Sequence, residues 1–403
     1  MYAYINKLTG AAILSLVIVS ACKKSGGDNA PDPHPNLTVE DVTLFEGNGG
    51  TTTFNIQVTL DREPKNAVTV KYATADGTAK AGEDYTALNG TLQFAAGERS
   101  KNIALTVVAD DIKEGDDMLT VTLSDPSNVV LVRAQATVTI KNDDTKVPFN
   151  NNGYDAPTSY AGFTLAWSNE FNTGALDATA WSNQNGDGCP SMCGWGNNEL
   201  EYYTDRPQNL FFQDGKLIIE AAKEQYGVRS YTSSKIITSG KKMFKFGRID
   251  IRAKLPKGKG IWPAFWMMPQ ASVYGGWPTS GEIDIMEMVG HEPNRTHGTI
   301  HYGPGPASTQ ISRSTTLSTG TLADEFHVYS LEWKQDQIKW YLDGNLFSTV
   351  NKADLNGVLY PFNEEFFLIF NLAVGGNWPG SPDANTYFPQ WLIVDYVRYY
   401  QGV

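Results

Sequence analysis

The stretch Ser280-Gly281-Glu282-Ile283-Asp284-Ile285-Met286-Glu287-Met288-Val289 decides how this 403-residue chain is read. In a β-strand alternate residues share a face, so Glu282 and Asp284 point together while Ile283 and Ile285 point the other way. Strict alternation would send Glu287 in among the isoleucines, where an unpaired buried carboxylate is costly. One extra residue, a β-bulge at Ile285-Met286, returns Glu287 to the face of Glu282 and Asp284. The stretch therefore predicts three carboxyls in a row on one face.

With the bulge absorbing one residue, the two glutamates lie four regular steps apart, roughly 13 Å along the strand. Side chains leaning inward close that toward the ~5–5.5 Å of a retaining glycosidase. Three crowded carboxyls repel, so at least one holds a proton near neutral pH. A proton donor and an ionised nucleophile are what that reaction needs. The plainer alternative is a solvent-facing acidic strand, but like charges aligned on one face destabilise a sheet.

Around this stretch, short alternating runs recur between Gly, Asn and Asp punctuation, the pattern of all-β sandwiches. The formal charge of −12 argues against a nucleic-acid partner, which demands clustered Lys and Arg. An aromatic content of 12% supplies flat apolar faces on which sugar rings can stack, although most aromatics are expected in cores.

Residues 1–22 have the layout of a secretory signal: an apolar run from Ala11 to Val19, too short for an ordinary membrane span, then Ser20-Ala21-Cys22. Small residues before Cys22 resemble the lipobox of bacterial lipoproteins, which implies lipidation at Cys22 and anchoring at the bacterial cell envelope. Residues 23–35 read as a polar tether. Cys189 and Cys193 then remain close together in one loop outside the reducing cytosol. A small-loop disulfide is expected there; a metal pair is the alternative, but no second ligand pair lies nearby.

Residues 36–144 contain legible strands at Thr53–Val58, Ala67–Tyr72, Ile103–Val108 and Leu119–Leu123. The run from Asp76 to Tyr85, with Gly90-Thr91-Leu92-Gln93-Phe94 and Glu114-Gly115-Asp116-Asp117, resembles the Calx-β module, an immunoglobulin-like sandwich. Some members bind calcium through acidic loops, and Asp110, Asp111, Glu114, Asp116 and Asp117 offer suitable oxygens; a solvated acidic turn is the competing reading. The unit reads as a spacer. Residues 145–156 read as an interdomain linker and 157–403 as one large β-domain.

Glu-Ile-Asp-Ile-Met-Glu resembles the active-site signature of glycoside hydrolase family 16 in its bulged, laminarinase-like form. The resemblance extends through Trp167-Ser168-Asn169-Glu170-Phe171, Asn197 to Thr204, Gly247 to Pro256, Gly260 to Met267 and Trp391 to Tyr399. It implies a β-jelly-roll whose concave sheet forms an open cleft, and endo-acting hydrolysis of β-1,3-glucan with retention, without a catalytic cofactor, by a monomer. Mixed-linkage β-1,3-1,4-glucan is the nearest rival substrate, and a non-catalytic glucan-recognition protein the rival of another class.

Carried over by resemblance, Glu282 is the nucleophile, Glu287 the general acid/base, and Asp284 tunes the nucleophile. Substrate binding is implied for Trp195, Asn197, Asn198, Trp262, Trp266, Trp277, His301, Asn371 and Trp378. A structural calcium on the convex face is implied for Glu170, the backbone of Gly215, and Asp395.

Overall fold

Residues 34–304 and 309–402 are described by the computed structural model. Cys22, expected to carry lipid, and nearly all of the stretch expected as a tether lie outside the described residues. Strands dominate, and the only helical elements among the described residues are two short 3₁₀ turns, Cys193–Gly196 and Lys352–Leu355.

The first unit packs two sheets. One orders Ser100–Ala109, Gly50–Leu60, Asn36–Val39 and Val130–Arg133; the other orders Val42–Phe45, Gln135–Lys141, Asp117–Ser127, Val68–Asp76 and Asn89–Phe94. Alternation builds the core: Ile103, Leu105 and Val107 of one strand point inward and meet Val70, Val121 and Val138 of the other sheet, all within one buried cluster.

The second unit is a larger sandwich. Its outer sheet runs Leu210–Gln213, Lys216–Ala221, Gln390–Gly402, Gly247–Lys254, His327–Lys334, Gln337–Leu342 and Asn345–Asn351, with Phe163–Asn169 also paired to Gln390–Gly402. Its inner sheet runs Ser182–Asn183, Lys235–Ile237, Phe366–Val374, Ile261–Pro269, Glu282–Glu287, Arg295–Tyr302 and Thr309–Thr316. Between them lies a core that includes Trp181, Phe265, Trp333, Trp340 and Phe370.

The stretch expected as a linker does not hang free. Val147 is buried with Ile218, Phe326 and Ile393, and Ala156 with Val328 and Tyr396. Gln213 brackets Val147, its Oε1 accepting from the backbone N at 2.8 Å and its Nε2 donating to the backbone O at 2.9 Å. This segment is thus an added layer on the outer sheet. The two sandwiches also meet directly: the Lys113 ammonium lies 2.6 Å from Glu220, which in turn accepts from Trp391 Nε1 at 2.8 Å.

Candidate active site

The strand Glu282–Glu287 carries the bulge its residue count requires. Against Ile261–Pro269, Phe265 faces Met286 while Trp266 faces Asp284, so Ile285 is the residue left over. Against Arg295–Tyr302, Asp284 faces Thr299 and Glu287 faces His297, and the register shifts between them. Ile283, Ile285 and Met286 all enter the core. Each contributes on the order of 1.5–3 kcal/mol by leaving water, which pins the register. Trp340 Nε1 donates to the Asp284 carbonyl at 2.8 Å and clamps the bulge from beneath. Gly298 makes room for that indole: a Cβ there would come within 2.4 Å of Trp340 Cδ1.

Glu282 and Glu287 both open into a cleft of about 990 Å³ over the inner sheet. Their partners differ. Glu282 Oε2 accepts from Trp277 Nε1 at 2.7 Å, and His301 Nε2 lies 3.7 Å from its other oxygen. Glu287 Oε1 accepts from Trp262 Nε1 at 3.2 Å. Asp284, almost wholly buried, sits 3.3 Å from His301 Nε2. Burial, then the Asp284 charge, pushes the Glu282 carboxyl up to about 8, opposed by His301 and the Trp277 bond. Burial likewise lifts Asp284 to about 8, opposed by its hydrogen bond with Glu282. Glu287 is raised well above the usual range by burial, then by the Asp284 and Glu282 charges. Both glutamates are held toward their protonated forms, and the indole donor that opposes this is closer at Glu282 (2.7 Å) than at Glu287 (3.2 Å), an asymmetry in the sense a general acid beside a nucleophile requires.

Trp195, Asn197, Trp262, Trp266, Trp277, His301, Asn371 and Trp378 all line this cleft. Asn198 does not: it is an exposed turn residue with φ of 58°, and its amide donates to Asn377 Oδ1 at 2.7 Å. Its side chain holds two loops together beside the cleft residues Asn197 and Trp378. The disulfide Cys189–Cys193 is formed and pins the loop that presents Trp195.

Beneath the cleft floor lies a polar network that motif reading missed. Tyr203 Oη donates to Glu199 at 3.0 Å and accepts from Asn371 Nδ2 at 3.0 Å, which turns the Asn371 carbonyl toward Trp266 Nε1, 2.7 Å away. Lys235, buried on a three-residue strand, holds its Nζ 4.2 Å over the Trp195 ring and 5.0 Å over Trp266. Burial lowers its pKa to about 8, opposed by the charges of Glu199, Glu201 and Glu282.

The residues expected to hold calcium are brought together by register, since Leu217 faces Val394 and Asn169 faces Val397. Their carboxylates, however, are already engaged. Glu170 takes two hydrogen bonds from Arg398, at 3.0 and 2.8 Å, and Asp395 pairs with Lys216 at 2.8 Å and Arg252 at 2.6 Å. A cation would have to displace three basic groups, so these residues as arranged do not fit the metal.

The comparisons with known proteins follow the same division of the chain. The model of the glycosyl hydrolases family 16 matches residues 195–392, and that of the Calx-beta domain matches residues 33–144. A beta-glucanase of Rhodothermus marinus is 40% identical over 263 residues, covering 62% of this chain and 90% of that protein. Glucan endo-1,3-beta-glucosidase A1 of Niallia circulans is 43% identical over 269 residues, and this chain spans only 39% of its length and 62% of its own. The laminarinase catalytic domain from Thermotoga maritima superposes with a TM-score of 0.56 at 45% identity, covering 60% of this chain and 99% of that one. The chain therefore belongs to glycosyl hydrolase family 16, as a glycoside hydrolase that carries a Calx-beta domain ahead of its catalytic sandwich.

Proposed function

We propose that this glycoside hydrolase cuts internal β-1,3-glucosidic bonds of laminarin-type β-glucan by double displacement with retention. The observation that carries this reading is the bulged strand, which presents Glu282 and Glu287 to one cleft with different partners. Glu287 gives its proton to the bridging oxygen while Glu282 attacks the anomeric carbon, forming a glycosyl-enzyme and releasing the leaving sugar. Glu287, now ionised, takes a proton from water, which attacks the same carbon from the face the leaving sugar vacated and restores Glu282. Asp284 and His301 hold the nucleophile in place.

The open cleft favours internal cleavage, and its indoles suit stacking on the faces of successive sugars. The names of the relatives from Niallia circulans and Rhodothermus marinus point to β-glucan. In the same proposal the N-terminal segment through Cys22 tethers the enzyme at the cell envelope, with the Calx-beta domain as spacer.

The test is product analysis of the protein on laminarin, mixed-linkage glucan, agarose and carrageenan, beside a Glu282→Gln control. A ladder of short oligosaccharides from laminarin, absent in the control, is the expected result. Cleavage of mixed-linkage glucan in preference would move the linkage assignment, and binding without cleavage would sink the catalytic reading.

A further inference from the structure

Asp284 Oδ2 is buried without a hydrogen-bond partner among the described residues, and Asp284 as a whole is 2% exposed. A carboxylate oxygen left in that state is costly and calls for a positive partner. It lies 3.3 Å from His301 Nε2, and the same nitrogen lies 3.7 Å from Glu282 Oε1. The strands bring this about: Glu282 faces His301 across the pairing, and Asp284, two residues on, shares the face of Glu282. One imidazole nitrogen and an oxygen from each of two carboxylates thus converge within 4.8 Å of one another.

Around a tetrahedral zinc ion, with bonds of about 2.0–2.2 Å, neighbouring ligand atoms stand roughly 3.3–3.6 Å apart. The two distances from His301 are close to that spacing. Two other groups among the described residues, Glu46 with Asp110 and Asp144, and Asp84 with Glu114 and Asp117, offer oxygen alone, which suits hard cations. His301 adds nitrogen, which favours a borderline ion with few ligands. Two carboxylates also balance the charge of a divalent ion. Glu282 and His301 line the open cleft, so an ion can enter from solvent and its remaining coordination position faces the cavity. Trp277 engages Glu282 Oε2, leaving Oε1 to the ion while holding the carboxylate in orientation.

We propose that Glu282, Asp284 and His301 form a binding site for a borderline divalent cation, with zinc as the probe, and that its occupancy shuts the enzyme off. The ion takes the Glu282 oxygen pair out of reach of the anomeric carbon and occupies the floor of the cleft, so it competes with glucan. The metal site stands on the geometry alone; the shut-off rests on the retaining-glucanase reading above.

Isothermal titration of the chelator-treated full protein with zinc, in excess calcium to fill the oxygen-only groups, reads the binding without any substrate. A zinc site should appear, and His301→Gln should weaken it at least about tenfold. Glu282→Gln should weaken it comparably and serves in its place if the His301 variant fails to fold. Glu287→Gln, which changes no ligand, should bind zinc as the wild type does. On laminarin, zinc should inhibit competitively, and a chelator should restore the rate. Absence of zinc binding, or an affinity unchanged in both His301→Gln and Glu282→Gln, would overturn the site. Full hydrolysis by the zinc-saturated protein would overturn the shut-off. A wild type inactive on every glucan would overturn the glucanase reading and the shut-off with it, while the titration still decides the metal site.

Discussion

Trp277 donates its indole proton to Glu282 Oε2 over 2.7 Å, so a half-exposed rim residue holds the proposed nucleophile from five positions away in the chain. The bond favours the ionised carboxylate and works against the burial that raises its pKa. Trp277→Phe keeps an aromatic ring and removes the donor. A hydrogen bond to a charged group contributes about 1.5–3 kcal/mol, and exposure places this one at the low end. The expected outcome is a loss of roughly tenfold in kcat/KM near pH 6, with the acidic limb of the pH profile moved upward. An unshifted limb would show that the bond does not govern ionisation.

The catalytic acids should also cost the resting enzyme stability at alkaline pH. Glu282 and Asp284 have folded pKa values near 8, above their unfolded range, and burial raises Glu287 well above its unfolded range too. The native form therefore binds more protons than the unfolded chain through this interval. Their stabilising contribution is complete below the ordinary carboxylate range and is lost as pH rises through about 8. Glu287→Gln cannot ionise, so thermal unfolding should show it more stable than wild type at pH 8 and nearly equal to it at pH 4. Each kcal/mol gained corresponds to roughly 2–4 °C for a domain of this size. An equal gap at both pH values would contradict the burial assignment.

Lys235 offers an ammonium to the cleft from between two indoles. Lys235→Met keeps the aliphatic packing and removes the charge and its donors. KM on glucan should rise about tenfold with a smaller change in kcat, and Lys235→Arg should recover part of it. A change confined to kcat would move Lys235 from substrate binding to the chemistry.

Lys113 reaches from the first sandwich to Glu220, which is 4% exposed in the second. Lys113→Met leaves that carboxylate without its cation, although the Trp391 donor remains. Destabilisation of about 1–3 kcal/mol is expected, less than for a fully enclosed pair because Lys113 is partly exposed. Calorimetry should show a lower melting temperature with KM unchanged. Adding Glu220→Gln should restore most of the loss, and a double variant as unstable as the single would argue against the pair.

The bulge was readable before any coordinates because its alternative places the Glu287 charge among Ile283 and Ile285, a cost large enough to decide register. Lys235 has no such signature. Between Ser234 and Ile236 it reads as a solvated lysine until Trp195 and Trp266, distant in sequence, close over it. The convex acids failed for a related reason. Strand positions brought Glu170 and Asp395 to the right place, but Arg398, Lys216 and Arg252 had already neutralised them, and those pairings belong to tertiary structure. Residues 145–156 read as linker because Asn and Gly punctuate them, while the burial of Val147 and Ala156 depends on partners from the outer sheet.

The assignment of the two glutamates is tested most directly by the anomeric configuration of azide adducts, read by NMR. Glu287→Ala on an aryl β-glycoside still forms the glycosyl-enzyme, because the leaving group needs no acid. Azide then enters from the vacated face and should give a β-glycosyl azide. Glu282→Ala opens the opposite face and should give the α-anomer. Reversal of the two anomers would exchange the roles of Glu282 and Glu287, and absence of any adduct from both variants would contradict a retaining mechanism at this site.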